Sequence, residues 1–265
     1  MKDPGEQIAG LMQKAIDNSE EKPPAKKPIG AEHVGQCERC RGNVRIIKFD
    51  DGSERKAGCR CTAQQYANEK QREINAQTFE KGSIIHGDYK TKTFEGYDAQ
   101  TEAQRHGLKV AKHYAEHFPA HFKNGQNILF QGSYGTGKTH LSAAIRKQVA
   151  DQNYKVLFMS LPDYIDKVKQ EFNETNKRHP IFKMASDADL LILDDIGANR
   201  MTEFEVSELF KIVDARRGKC TVYTTNYSGK DFVKSMELHR IFSRMMENTK
   251  VVVLKGDDYR MKGML

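Results

Sequence analysis

The sequence predicts an α/β protein in which a parallel five-stranded sheet is covered by helices on both faces, preceded by a small unit built around cysteines. Three observations predict it. From residue 127 onward short apolar runs alternate with segments of helical period. A glycine-rich loop joins the first of those runs to the first of those helices. Four of the five cysteines crowd into residues 37–61, away from everything else.

The apolar runs are NILFQG (127–132), KVLFMS (155–160), LLILDD (190–195), TVYTTN (221–226) and VVVLKG (251–256). Helical patterns lie between them at 138–151, 162–174, 202–217 and 237–247. Strands that alternate with helices give parallel pairing with both faces covered. Thr202 with Glu205 supplies a capping box for one helix. Upstream, residues 101–122 have a helical period, and TAQQYANEKQREINAQTFE (62–80) reads as a polar helix connecting two units. Residues 6–16 read as a short amphipathic helix. EEKPPAKKPIG (20–30) reads as an extended, solvated linker. The boundaries expected are 1–75 for an N-terminal region with the cysteine unit at 37–61, 76–100 for a linker, and 101–265 for the α/β domain.

The 265 residues carry a net charge of +7, with 38% hydrophobic and 30% charged residues. The excess of base favours a polyanionic partner, nucleic acid being the commonest, although a basic surface also serves solubility. No apolar run approaches the roughly 20 residues of a membrane helix. MKDPGEQIAG lacks the basic-then-apolar pattern of a signal peptide, so a cytoplasmic location without membrane contact is expected. In a reducing compartment the cysteines point to a metal or to free thiols rather than to disulfides.

GSYGTGKT (132–139) matches the phosphate-loop pattern G-x-x-x-x-G-K-[ST]. Gly132, Gly135 and Gly137 let the backbone turn its N–H groups toward phosphate oxygens, with Ser133, Tyr134 and Thr136 between them. Lys138 brings charge to the β and γ phosphates, Thr139 offers a hydroxyl to Mg2+, and His140 follows in the first helical turn. The helix N-terminus adds its dipole. The strand before and the helix after are the context this motif requires.

LLILDDIG ends four apolar residues on Asp194 and Asp195, at the sheet edge where ligands of this fold class sit. Asp194 is placed to hold Mg2+ and Asp195 to orient and deprotonate water. An Asp-Glu pair is commoner in such ATPases. Aspartate is one methylene shorter, which implies slow or partner-dependent hydrolysis. Asn226 ends the next strand, where it would meet the γ phosphate or the lytic water, or simply end the strand as a turn residue. Arg240 and Arg244 stand one helical turn apart, a spacing that by itself describes a solvated helix face with Ile241 and Met245 turned inward.

Cys37, Cys40, Cys59 and Cys61 form C-x2-C-x18-C-x-C, four thiolates for one structural Zn2+, with the Asp51-Gly52 turn folding a hairpin that brings the pairs together. His33 is a spare ligand, and four reduced thiols are the alternative. Cys220 reads as core packing.

Taken in order, GSYGTGKTHLSAAI, LLILDDIGA, TTN, RIFSRMMEN and GDDYR resemble the AAA+ ATPases, and within them the DnaC/DnaI-type replicative helicase loaders, with the transposition helper IstB sharing much of the pattern. The resemblance covers about residues 85–260, and in that family the Asp-Asp pair is usual. It implies that Arg244 reaches the nucleotide of a neighbouring subunit as an arginine finger, with Arg240 assisting. It implies that Asn226 is the first sensor, that Arg260 contacts nucleotide in its own subunit, and that Phe94 packs near adenine, a core role being the equal alternative. It implies ATP or ADP with Mg2+ as ligands, homo-oligomerisation, a hexameric replicative helicase docked by residues 1–75, and single-stranded DNA along the inner surface. Lys167, Lys169, Lys177, Arg178 and the RRGK run at 216–219 are candidates for that DNA. The function expected is ATP-dependent loading of the helicase onto single-stranded DNA. The alternatives are an IstB-like transposition helper and an adaptor that binds ATP with little turnover.

Overall fold

In the computed structural model, residues 26–173, 180–197 and 201–261 are described. The helix expected at 6–16 lies outside them. The chain divides into two units, Met1–Glu69 and Lys70–Leu265.

In the first unit β1 (Pro28–Gln36), β2 (Asn43–Phe49) and β3 (Glu54–Ala57) form an antiparallel sheet in that order. The expected hairpin is present: Phe49 N–H donates to Ser53 O at 2.9 Å, and Gly52 takes the left-handed φ of 77° that the turn requires. β1 corrects the expectation of a linker through residue 30. Proline is tolerated at the first position of an edge strand, where no N–H is needed. PIGAEHVGQ is solvent-exposed along nearly its whole length, so it carries no alternation of apolar and polar residues to mark it as a strand.

α1 (Arg60–Gly82) has no apolar stripe, and the boundary between the units falls within it. Residues 84–98, expected as linker, bury Ile85, Phe94 and Tyr97 in the core of the second unit. The helical run expected over 101–122 is two helices, α2 (Glu102–Glu116) and α3 (Phe118–Asn124). Pro119, without an N–H, cannot continue a helix but fits the first turn of a new one. Thr101 and Gln104 cap α2 reciprocally.

The sheet comprises β4 (Asn127–Gly132), β5 (Val156–Ser160), β6 (Leu190–Ile196), β7 (Cys220–Thr225) and β8 (Thr249–Leu254), all parallel in the order β5-β6-β7-β4-β8. The helices between are α4 (Lys138–Ala150), α5 (Leu161–Asn173), α6 (Pro180–Asp187), α7 (Glu203–Ala215), α8 (Gly229–Phe232) and α9 (Met236–Met245). Alternate strand residues feed two cores. Ile128, Phe130, Ile192 and Val222 pack with α2 to α4, while Leu129, Leu191, Leu193 and Tyr223 pack with α5 to α9. No helix among the described residues is long and apolar enough to cross a membrane.

The basic residues proposed for DNA separate in the structure. Arg216 is 1% exposed, and its guanidinium donates to the carbonyls of Ala185, Ser186, Ala188 and Cys220 and to Thr221 Oγ1. It joins the end of α6 to β7, which removes it from the DNA candidates. Arg217 pairs with Glu247 at 3.0 Å and remains exposed, as do Lys167, Lys169 and Lys219. Lys177 and Arg178 lie outside the described residues.

Candidate nucleotide site and metal centre

β4, buried on both faces, delivers the chain to the carboxyl edge of the sheet, where residues 132–137 turn into α4. Gly137 sits at the helix N-cap with φ 90°, and a Cβ there would lie 2.4 Å from the Tyr97 ring. Tyr97 is fixed by its hydroxyl, which donates to Thr136 O at 2.9 Å. Gly135 has φ 68°, and a Cβ would collide with Asp258. Tyr259 N–H donates to Gly135 O at 3.2 Å, so the chain after β8 lies across the loop. Lys138 Nζ donates to Gly132 O at 2.9 Å, Ser133 O at 2.7 Å and Asn226 Oδ1 at 2.6 Å. Two elements that the sequence nominated separately, the phosphate loop and Asn226, therefore meet at one ammonium group. A cavity of about 410 Å³ opens beside it, lined by Tyr89, Tyr97, Tyr134, residues 135–140, Asp195, Asn226 and Tyr259 among others. His140 Nε2 faces Thr93 O at 2.8 Å, which makes that nitrogen the protonated one, and burial lowers the ring's pKa.

Asp194 is 3% exposed. Its Oδ1 accepts from Thr139 Oγ1 at 3.3 Å and from the Thr224 hydroxyl. Burial, with the neighbouring Asp195 charge second, pushes its pKa up to about 6, against the lowering effect of the two hydroxyls. The register between β6 and β7 slips between Leu193 and Ile196, and Asp195 takes φ 57°. This is a bulge, and it gives consecutive aspartates different surroundings. Asp194 points into the protein toward Thr139, and Asp195 lines the cavity. The sequence gives no sign of the bulge, nor of the part taken by Thr224 and Tyr97. A buried threonine in a β-rich run reads as strand propensity alone.

Phe94 is 6% exposed in the core and does not line the cavity; Tyr97, three residues on, does. The side chain of Arg260 lies outside those described. Neither Arg240 nor Arg244 lines the cavity. Both stand on α9 over the Phe210 ring, Arg244 at 4.4 Å and Arg240 at 5.4 Å from its centroid. Arg244 Nε lies 2.6 Å from Asp214 Oδ1 but off the N–H axis, an ion pair rather than an aligned hydrogen bond. Ile241 and Met245 are buried as the spacing requires.

In the first unit, the sulfurs of Cys37, Cys40, Cys59 and Cys61 lie within 4.8 Å of one another. Zn–S bonds of about 2.3 Å put tetrahedral sulfurs roughly 3.8 Å apart, so the cluster fits Zn2+ with small adjustments. Arg41 takes φ 55° and donates to Cys37 O at 2.7 Å, a tight knuckle that aims the first pair. The Gly42 N–H, with Cys37 and Cys61, holds the Cys40 thiol below its usual range. Hydrogen bonding with Cys40 pushes Cys61 up to about 11. Four thiols this close do not ionise together without a cation. His33 is exposed on β1 and stands outside the cluster.

Comparison with known proteins identifies the family and the fold. The family described as IstB-like ATP binding protein matches residues 67–265. The replicative helicase loader DnaC of Escherichia coli strain K12 is 30% identical over 172 residues, 63% of this chain and 69% of that one. The crystal structure of the DnaC helicase loader superposes with a TM-score of 0.57 at 24% identity, covering 64% of this chain and 100% of that chain. That of DnaI gives 0.53 at 20% identity, over 66% and 94%. The AAA+ fold expected from the sequence is the fold these structures share.

Two outcomes are expected. A carboxyl raised from 3.8 to about 6 contributes nothing well below pH 3.8, where it is neutral folded and unfolded. As pH rises the unfolded chain ionises first, and the cost of the buried charge is complete above 6. At about 1.4 kcal/mol per pKa unit that cost is about 3 kcal/mol. Asp194→Asn should therefore be more stable than the parent by that order in metal-free buffer at pH 7.5, with the difference shrinking to about 0.5 kcal/mol at pH 4, by urea denaturation. Equal stability at pH 7.5 would overturn the assignment. Elemental analysis should find one zinc per chain, lost on replacing Cys37 and Cys40 by serine. Four freely titrating thiols in the native protein would argue against a metal.

Proposed function

The chain belongs to the family of IstB-like ATP-binding proteins, and from that premise we propose that it is an ATPase that loads a hexameric replicative helicase onto single-stranded DNA. The observation that carries the reading is the meeting of Lys138, Asn226, Thr139 and the Asp194-Asp195 bulge around one cavity, in a chain 30% identical to a replicative helicase loader.

Bound Mg-ATP would supply the phosphoanhydride that water cleaves. The loop N–H groups of residues 132–139 and the α4 dipole hold the anionic chain. Lys138 adds the point charge, and its present contacts with two carbonyls and Asn226 keep it aimed into the cavity rather than at solvent. Thr139 and Asp194, which meet at 3.3 Å, would hold Mg2+. Asp195, on the cavity wall, accepts the proton of the attacking water, and Asn226 holds that water or the terminal phosphate. Arg260 contacts nucleotide in its own subunit. Arg244, held off its own cavity, serves the site of a neighbouring copy and stabilises charge on the transferred group, with Arg240 beside it. Hydrolysis then depends on assembly, and the short Asp195 side chain keeps the unassembled rate low.

The first unit, with its cysteine cluster, is the docking surface for the helicase. Exposed Lys167, Lys169, Arg217 and Lys219 are the remaining described basic candidates for phosphate contacts. A second reading, a transposition helper acting on target DNA, is favoured by the family match itself.

Two measurements test the proposal. Co-elution with the replicative helicase of the source organism, with ATP and Mg2+ present, should be lost when residues 1–69 are deleted. A complex with a transposase and none with the helicase would favour the second reading. Arg244→Ala should leave nucleotide affinity unchanged while lowering partner-stimulated hydrolysis on the order of 10³-fold. Equal loss of binding and hydrolysis would exclude action across a subunit boundary.

A further inference from the structure

Thr224 lies in the middle of the candidate site without touching the cavity. It is 0% exposed on β7, and its hydroxyl makes two hydrogen bonds at once. It donates to Asp194 Oδ1, and it accepts the backbone N–H of Asp195 at 2.8 Å. One proton and two lone pairs allow both. The same oxygen therefore grips the side chain of one aspartate and the main chain of the next, across the point where the β6–β7 register slips.

The neighbouring threonines do something else. Thr225 Oγ1 donates to Ile196 O at 2.7 Å and closes the bulge from its far side, and Thr221 Oγ1 accepts from Arg216 at 3.3 Å. Of these three, Thr224 alone reaches a carboxylate.

We propose that Thr224 is a positioning residue that sets the two aspartates relative to each other. This role rests on the ATPase reading above. Asp195 in a regular strand would continue the alternation of side chains from one face of the sheet to the other. Held at φ 57° by the bond from its N–H to Thr224, it lines the cavity instead. A left-handed φ is tolerated by aspartate but not favoured, so it persists where a bond over-determines it. The second bond acts on Asp194. With Thr139 and Thr224 both on Oδ1, the carboxylate is oriented before any cation arrives. One hydroxyl thus couples where the metal ligand points to where the base stands.

Thr224→Val keeps the branched shape and removes both bonds; Thr224→Ser keeps the hydroxyl and removes a methyl. For the valine variant, kcat of partner-stimulated hydrolysis should fall at least tenfold. The Mg2+ concentration needed for half-maximal binding of a fluorescent ADP should rise at least fivefold. Affinity for the same nucleotide at saturating Mg2+ should change less than threefold. The serine variant should stay within threefold of the parent on all three. A valine variant equal to the parent would overturn the proposal. So would a serine variant that falls as far as valine, because the methyl and not the hydroxyl would then matter. A parent protein that binds no nucleotide would instead sink the ATPase reading, and this role with it; a parent that binds and turns over ATP leaves the variants to decide Thr224 alone.

Discussion

The carboxyl edge of the sheet depends on keeping one carboxylate, Asp194, at 3% exposure beside a second aspartate. Burial and the adjacent Asp195 push its proton affinity up, and two hydroxyls pull it down. That balance dictates its surroundings. Thr139 has to open α4 so that its hydroxyl faces β6, which requires the preceding loop to make its turn within residues 132–137. Thr224 has to sit opposite on β7, which requires β7 beside β6. The parallel order β5-β6-β7-β4-β8 places the phosphate loop, the aspartates and Asn226 on consecutive strand ends. Lys138 at 2.6 Å from Asn226 Oδ1 is the point where β4 and β7 are tied across that edge.

A second constraint divides the arginines. Arg216 is satisfied by neutral carbonyls and a hydroxyl inside the fold, and burial lowers its pKa only to about 10, so it remains charged. It acts as a cross-brace, which a charged run in a sequence does not announce. Arg240 and Arg244 are the opposite case: their helix is anchored by Ile241 and Met245, leaving Arg240 exposed and Arg244 half-buried against Phe210 and Asp214. Spacing alone separates anchor from surface along α9, whereas only the three-dimensional fold shows Arg216 turning inward.

The strands and most helices of the second unit were legible because their signals are local and repeated: apolar runs, 3.6-residue periods, and a glycine-rich loop between them. The phosphate loop, the aspartate pair and the cysteine cluster were legible because their chemistry demands particular residues at particular spacings. β1 was missed because an exposed edge strand needs no alternation, and α6 and α8 because a pattern of 8 or 4 residues is too short to show a period. The segment at 84–98 looked like a linker because Ile85, Phe94 and Tyr97 reach the core without regular spacing. The bulge at Asp195 was invisible because it arises from a pairing between strands about thirty residues apart, and Thr224 is polar for the sake of that pairing.

Phe210 lies beneath both arginines of α9, and its ring carries a further implication. A long guanidinium side chain free in water holds about 2 kcal/mol of rotamer entropy, which is lost when it is fixed against a partner. Laid on an aromatic face at 4.4 Å and held by Asp214, Arg244 has given up much of that freedom already. The ordering is completed when the chain folds, so any anion that met Arg244 would find its range of motion already narrowed.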